Sequence, residues 1–387
     1  MNITNERLSL CALGHIFGFE PAKALALITR CGSAEQVFRL QKDELEELTG
    51  PYFRHKDEIS EDKIEKAYRE LKELERKGIY YIGYTEEHYP AILKECIDAP
   101  IGLYIRSETP PERLWIPERK IAVVGTRDIS SYGRDWCERT VQGIASAGSG
   151  SMIISGLALG TDICAHRTAL ECGLPTIGVM ATGPESIYPH RNESIARQMT
   201  STPGCALITD YPPGTAPLAI HFLRRNRIIA GLSQATILIE SKIKGGGMMT
   251  SRLAFSYNRE VYALPGRADD LRSQGCNRLL REKVAEPLTS IEELMESLGM
   301  KINRKRGKVS DKDILDRLYS QSMSPEDMEI MHSILSLIRK EREICIEDIA
   351  YSTGISYRNT SKFCALMESD GLLSTDLLQR CSIRHKN

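Results

Sequence analysis

Ile121-Ala122-Val123-Val124-Gly125-Thr126-Arg127 opens the stretch that decides the fold, and Met152-Ile153-Ile154-Ser155-Gly156-Leu157-Ala158-Leu159-Gly160-Thr161-Asp162 closes it. Each half is a short apolar β-run that breaks into a turn of small, hydroxyl or glycine residues. Ser130-Ser131-Tyr132-Gly133 carries the first turn into a helical stretch. Two strand–loop–helix units in succession put such turns at the carboxyl ends of their strands, where an open parallel sheet has its ligand crevice. Free backbone N–H groups there suit an anion.

The alternation continues outward. Residues 175–180 read as a third strand, 206–209 as a fourth and 236–240 as a fifth, with a helix over 219–232 between the last two. Residues 261–264 close the run before Pro265-Gly266. Such regularity implies right-handed crossovers and a parallel sheet covered on both faces, an extended Rossmann-like α/β core.

Upstream the pattern is helical. Leu8, Leu10, Leu13, Ile16 and Phe17 form one stripe, and Ala24, Leu25, Leu27 and Ile28 form a second after Pro21. Ser33, with Gln36 at the return position of a capping box, opens a third helix. Small helices with short turns suit a SAM-like or helix-hairpin-helix module. Glu20 in the first turn would repel phosphate, so packing or protein contact is expected of this module before DNA. Ile64, Ala67, Tyr68, Leu71 and Leu74 mark a surface helix with one buried stripe. Strands are expected over 79–82 and 103–105.

Downstream, helices are expected over 327–340, 346–351 and 357–368, with a turn at Thr353-Gly354-Ile355 and a β-wing over 372–378. This is a winged-helix pattern. From Asp311 to Asn387 there are 10 Lys+Arg against 13 Asp+Glu, a net of −3, and the would-be recognition helix offers only Arg358 and Lys362. Protein contact is therefore as reasonable a role as groove reading. The expected division is 1–80 helical, 81–300 Rossmann-like, 301–310 a basic linker containing Lys301 to Lys308, and 311–387 winged-helix-like.

Composition bounds the function. A net charge of −1 leaves only local basic clusters to speak for nucleic acid, and Arg224-Arg225-Asn226-Arg227 is the one inside an apolar helical pattern. Eleven cysteines occur without a C-x-x-C pair, which argues against a disulfide framework and against a zinc site. No metal, cofactor or catalytic residue is expected. No signal-like amino terminus and no apolar run of about 18 residues is present, so a cytoplasmic protein without a membrane span is expected.

Together Gly125-Thr126-Arg127, Ser131-Tyr132-Gly133, Ser155-Gly156-Leu157-Ala158-Leu159-Gly160-Thr161-Asp162, Ala165-His166, Tyr188-Pro189, Arg225-Asn226-Arg227 and Leu264-Pro265-Gly266 resemble the DNA-processing protein A family, also called DprA or Smf. Tyr89-Pro90, Ala99-Pro100 and Leu103-Tyr104 extend the resemblance over essentially the whole chain. The chain departs from the family's usual G-S-R at Thr126, G-I-D at Thr161, F-P at Phe222-Leu223 and S-G-S near the triple glycine. The resemblance implies a homodimer through the central domain that binds single-stranded DNA and hands it to the RecA recombinase on strands coated by single-strand binding protein. It places the strand in a basic pocket at the carboxyl ends of the sheet.

Candidate site residues can also be read from the chemistry. Phosphate binding needs fixed N–H donors and cations that do not titrate, which makes Arg127, following the first strand, a candidate. Gly125, Thr126, Ser155, Gly156 and Gly160 line the same edge; the glycines either admit a ligand backbone or serve the turn itself. His166 is either a pocket donor or a structural residue. Successive helical residues are about 100° apart, so the three arginines of 224–227 cannot all face one ligand. Arg225 and Asn226 are assigned to the crevice, and Phe222, three residues earlier, either stacks a base or packs in the core. Lys242 and Lys244 precede Gly245-Gly246-Gly247 at a helix amino terminus, a second anion site.

Three other readings compete with a DNA-binding mediator. A nucleotide-binding protein or N-glycosidic-bond hydrolase on a related fold would need an acid close after the phosphate loop, and Met248-Met249-Thr250-Ser251-Arg252 supplies none. A transcription factor is weakened by the acidic balance of the last segment. A dinucleotide oxidoreductase lacks G-x-G-x-x-G after the first strand.

Overall fold

The computed structural model describes residues 3–50, 52–148, 150–300, 315–316, 318–319, 323–341, 343–376 and 378–383. The expected basic linker, with its cluster at 301–308, lies outside them, as does Leu377 of the expected wing. The chain divides into two compact units, Met1–Asn303 and Arg304–Asn387.

The first unit begins with α1 (Asn5–Phe17), α2 (Pro21–Cys31), α3 (Ala34–Arg39), α4 (Lys42–Thr49) and α5 (Glu61–Arg76). Ser33 accepts the Gln36 N–H at 3.1 Å and so starts α3, as its spacing predicts. Along α5 the buried stripe is Ala67, Leu71 and Leu74. Tyr68 is exposed, contrary to the expected pattern. It lies about 100° around the helix from Ala67 and falls off a stripe spaced i, i+4, i+7. Glu20, expected to repel phosphate, is paired with Lys23 at 2.7 Å and Arg54 at 2.8 Å.

Nine strands form one sheet: β1 (Ile79–Gly83), β2 (Gly102–Arg106), β3 (Arg119–Val124), β4 (Ser151–Ser155), β5 (Thr176–Val179), β6 (Ala206–Thr209), β7 (Ala235–Leu238), β8 (Glu260–Ala263) and β9 (Glu286–Pro287). Their order is β1-β2-β6-β5-β4-β3-β7-β8-β9. Strands β6 to β9 run parallel, whereas β1 and β2 add an antiparallel edge. The helices between strands are α6 (Ala91–Lys94), α7 (Pro111–Leu114), α8 (Ser131–Ser146), α9 (Thr161–Glu171), α10 (Glu193–Thr200), α11 (Ala219–Gly231), α12 (Gly246–Ser256) and α13 (Gln274–Arg281), and α14 (Ile291–Ser297) follows β9.

Ile121 to Val124 of β3 form a continuously apolar run. Ala122 and Val124 join one core with Ile154, Val179, Ile228 and Met248, while Ile121 and Val123 join another with Val141, Ile144, Ile153 and Ile237. Successive side chains point to opposite faces, and helices cover both, so these four positions are all apolar. A third cluster seats the amino-terminal helices on the sheet edge: Leu8, Cys11 and Ala12 of α1 and Leu71 of α5 pack with Tyr81 and Tyr104 of β1 and β2.

In the second unit, helices Pro325–Glu341, Ile346–Thr353 and Tyr357–Ser369 pack around Ile334, Ile338, Ile349, Phe363 and Met367. Gly354 takes the left-handed conformation, φ 71°, that ends the second helix. Strand Arg380–Ile383 pairs antiparallel with both Ile344–Cys345 and Leu373–Thr375. Among the described residues, no helix is long and apolar enough to cross a membrane.

Candidate nucleic-acid interface

Strand order reverses between β3 and β7. The chain proceeds from β3 outward through β4, β5 and β6 on one side, then returns to add β7 and β8 on the other. At such a switch point the loops after neighbouring strands lead apart and leave a crevice at the carboxyl edge. Gly125 to Arg127 follow β3, Ser241 to Gly245 follow β7, and Gly156 to Gly160 follow β4 beside them.

Glycines let these loops interlock. A Cβ on Gly125 would meet Thr161 and the Glu240 carbonyl, and one on Gly247 would lie 3.2 Å from the Gly125 Cα. Gly160 has φ 76° and sits against the Thr126 and Arg127 carbonyls. The Thr161 N–H donates to the Thr126 carbonyl at 3.1 Å, and its hydroxyl approaches the same oxygen at 3.3 Å. The Thr126 hydroxyl accepts the Asp128 N–H at 3.2 Å. Room expected for a ligand backbone at Gly160 is thus taken up by the protein's own chain.

Gly156 answers to a side chain. Its missing Cβ leaves space for the Arg225 guanidinium and the Asp162 carboxylate. Arg225 is 4% exposed and donates to the Val179 carbonyl at 2.9 Å. Burial pulls its pKa down to about 10, against the raising effect of Asp162, so it remains charged at neutral pH. Burial likewise pushes the Asp162 carboxyl above its usual range, opposed by Arg225. Arg225 is therefore placed beneath the loop and not on the open face that the sequence assigned to it.

The other arginines of the cluster diverge as helical spacing requires. Arg224 donates to the Gly18 carbonyl at 3.1 Å and lies 4.1 Å above the Phe19 ring. Arg227 bonds Asp98 and Asp210 in the interior. Asn226 reaches the Gly246 carbonyl at 3.5 Å and ties α11 to α12.

At this edge, among the described residues, three cations have no acid paired with them. Among the described residues, Arg127, Lys242 and Lys244 are exposed and have no ion-pair partner, whereas neighbouring Asp128 is held by Arg272 at 2.8 Å. Arg127 lies over the ring of Phe222, which in turn is 5.5 Å from Tyr188. In sequence Tyr188 stands out only as part of a Tyr-Pro pair; its reach to Phe222 depends on the loop after β5. Helix α12 begins at the Gly245 cap with no acid in its first turn, so its amino end keeps its positive character.

Two expected site residues lie away from the open edge. His166 is completely buried, with Nδ1 2.8 Å from the Thr176 hydroxyl at the start of β5. Burial pushes its pKa down to about 3, with Arg225 adding to the effect, so it is neutral and internal and is withdrawn as a crevice donor. Ser155 is also fully buried and donates to the Val123 carbonyl at 2.6 Å, stitching β4 to β3.

Glu240, absent from the sequence-derived candidates, is 1% exposed at the end of β7. Its carboxylate accepts the Ser130 N–H at 2.9 Å and the Ser130 hydroxyl at 2.5 Å, which seats it at the amino end of α8. This acid near the glycine loop is engaged in capping.

Comparison with known proteins agrees with the geometry. Residues 80–299 match the family model described as DNA recombination-mediator protein A. The DNA processing protein DprA of Streptococcus pneumoniae is 37% identical over 197 residues, covering 51% of this chain and 67% of that protein. DprA of Bacillus subtilis is 35% identical over 232 residues, covering 60% and 73%. The X-ray structure of Streptococcus pneumoniae DprA superposes with a TM-score of 0.63 at 29% identity, covering 76% of this chain and 98% of that one. That of Helicobacter pylori, described for its single-stranded DNA binding mode, gives 0.50 at 28%, covering 56% and 95%. A mostly parallel α/β sheet with this loop edge, matched over more than half its length, makes this chain a member of the DNA recombination-mediator protein A (DprA/Smf) family.

Proposed function

We propose that this protein binds single-stranded DNA at the β3–β7 edge, protects it, and loads RecA on it during uptake and recombination of incoming DNA. One arrangement carries the reading: exposed cations without ion-pair partners, with Arg127 beside the Phe222–Tyr188 pair and Lys242 and Lys244 just before the amino end of α12. Cations and helix N–H groups suit phosphates, while aromatic faces suit bases freed from a duplex. In this reading Gly245, Gly246 and Gly247 offer backbone N–H groups. Gly125, Thr126, Ser155, Gly156, Gly160, Arg225 and Asn226 hold the loops in place. The Helicobacter pylori relative's single-stranded DNA binding supports the same choice.

The remaining parts follow as proposals. The central domain (81–300) forms a cytoplasmic homodimer, so that two crevices engage one long strand with avidity. The first 80 residues act as a SAM-like contact module, and residues 311–387 as a winged helix whose net of −3 favours protein contact. Contact through backbone leaves bases available for pairing. The engagement of Glu240 with Ser130 supports a binding role over nucleotide hydrolysis.

The test uses RecA's DNA-dependent ATP hydrolysis on strands coated by single-strand binding protein, with the cognate recombinase. A shortened lag is expected. Confirmed strand binding without any change in lag would reduce the protein to a passive binder.

A further inference from the structure

Away from the crevice, four donor atoms from three elements converge where the amino-terminal helices meet the sheet edge. Cys11 and His15 stand four residues apart on α1 and so share one face. Glu70 comes from α5 and Tyr104 from β2. The Cys11 Sγ is 4.0 Å from His15 Nε2 and 3.6 Å from Glu70 Oε1, and His15 Nε2 is 3.2 Å from Glu70 Oε1. The Tyr104 hydroxyl is 2.7 Å from Glu70 Oε1, 3.3 Å from His15 Nε2 and 3.8 Å from Cys11 Sγ.

From these distances we propose that Cys11, His15 and Glu70 form a zinc site that clips α1 to α5 at the edge of the sheet. Zinc bonds of about 2.0 Å to nitrogen or oxygen and 2.3 Å to sulfur, arranged tetrahedrally, put donor atoms roughly 3.3–3.6 Å apart. The three observed separations bracket that range without any rearrangement of backbone. A thiolate, an imidazole and a carboxylate form a donor set that suits zinc over magnesium or calcium, which take oxygen ligands. Tyr104 donates to the ligating carboxylate and fixes it, as outer-shell partners of metal ligands do.

The fourth position has a source. A cavity of about 20 Å³ is lined by Cys11, Gly14, His15, Tyr81 and Tyr104 among others, which is room for one water. Access comes from the His15 side, whose side chain is 29% exposed, against 1% for Cys11. The absence of C-x-x-C hid this site from the sequence, because its two helical ligands are spaced i, i+4 and the third lies 55 residues beyond His15.

The test takes the full chain, strips it with a chelator and titrates it with Zn²⁺ or, for spectroscopy, Co²⁺. One equivalent is expected to bind, with a thiolate-to-cobalt charge-transfer band and the intense visible bands of a four-coordinate ion, and Zn²⁺ should raise the melting midpoint. C11A should lose the charge-transfer band. The variants H15A and E70Q should weaken binding more than about 100-fold, beyond what loss of an outer-shell partner costs. A C31A/C172A double variant should behave as the wild type. Because the His15 side chain is 29% exposed, H15A keeps the test open even if C11A folds poorly. Absence of a tightly held equivalent in the wild type, a charge-transfer band that persists in C11A, or unchanged affinity in H15A would overturn the proposal.

Discussion

The guanidinium of Arg127 lies 5.3 Å from the centroid of the Phe222 ring. A loop after β3 and a helix after β6, almost a hundred residues apart in sequence, thus present a cation and an aromatic face together. A single strand needs both, one for its phosphates and one for its bases.

Arg127→Ala should weaken binding of single-stranded oligonucleotides across all sequences and reduce the salt slope by about one, with the melting midpoint unchanged. Filter or anisotropy titrations at several salt concentrations measure this. Affinity and slope equal to wild type would remove Arg127 from the site.

Phe222→Ala should cost about 1–3 kcal/mol of binding, the range found for a base-stacking contact. The loss should persist at high salt, because stacking releases no counterions. A loss that vanishes at high salt would assign the ring to positioning Arg127 instead.

Arg225→Ala should act on stability. It removes the cation beside buried Asp162 and empties the space under Gly156. Losing the charged hydrogen bond to the Val179 carbonyl costs about 1.5–3 kcal/mol. Thermal or urea unfolding reads it directly, and a variant as stable as the wild type would show that Arg225 does not hold the loop.

Stability should also fall in acid through His166. Its folded pKa is depressed to about 3 from 6.5, so the unfolded chain binds the extra proton. The contribution is present above pH 6.5 and is lost as pH falls from 6.5 toward 3, at up to about 1.4 kcal/mol per pH unit. Asp162, raised by burial, works in the opposite sense. Comparing wild type with His166→Gln isolates the histidine: the wild type's advantage in melting midpoint should shrink from pH 7 to pH 4. A constant gap would contradict the burial of a neutral ring.

Removal of residues 311–387 should leave single-strand binding by the rest of the chain intact. The segment has a net of −3, and the carboxyl-terminal unit packs around a core of its own. Loss of nearly all binding by a folded truncated protein would bring that unit into the DNA site.

Local pattern was enough for the parallel core of the sheet. Alternating short apolar runs and helical stripes determined a parallel sheet covered on both faces, because burial of both sides of β3 demands Ile121 to Val124 without a polar residue. Helical spacing alone determined that Arg224, Arg225 and Arg227 must part company. What tertiary structure decided is which of the singled-out residues face outward. Gly160 reads the same whether it receives a ligand or the Thr126 carbonyl, and His166 reads the same whether it is a donor or a buried ring on Thr176. Arg225 was assigned to the crevice by its position in a motif, yet Asp162 and the Val179 carbonyl draw it beneath the loop. The pairing of Tyr188 with Phe222, the capping by Glu240 and the Cys11–His15–Glu70 group were not legible for a related reason. Their chemistry depends on partners brought from distant strands and helices, and separation in space is not encoded by spacing along the chain.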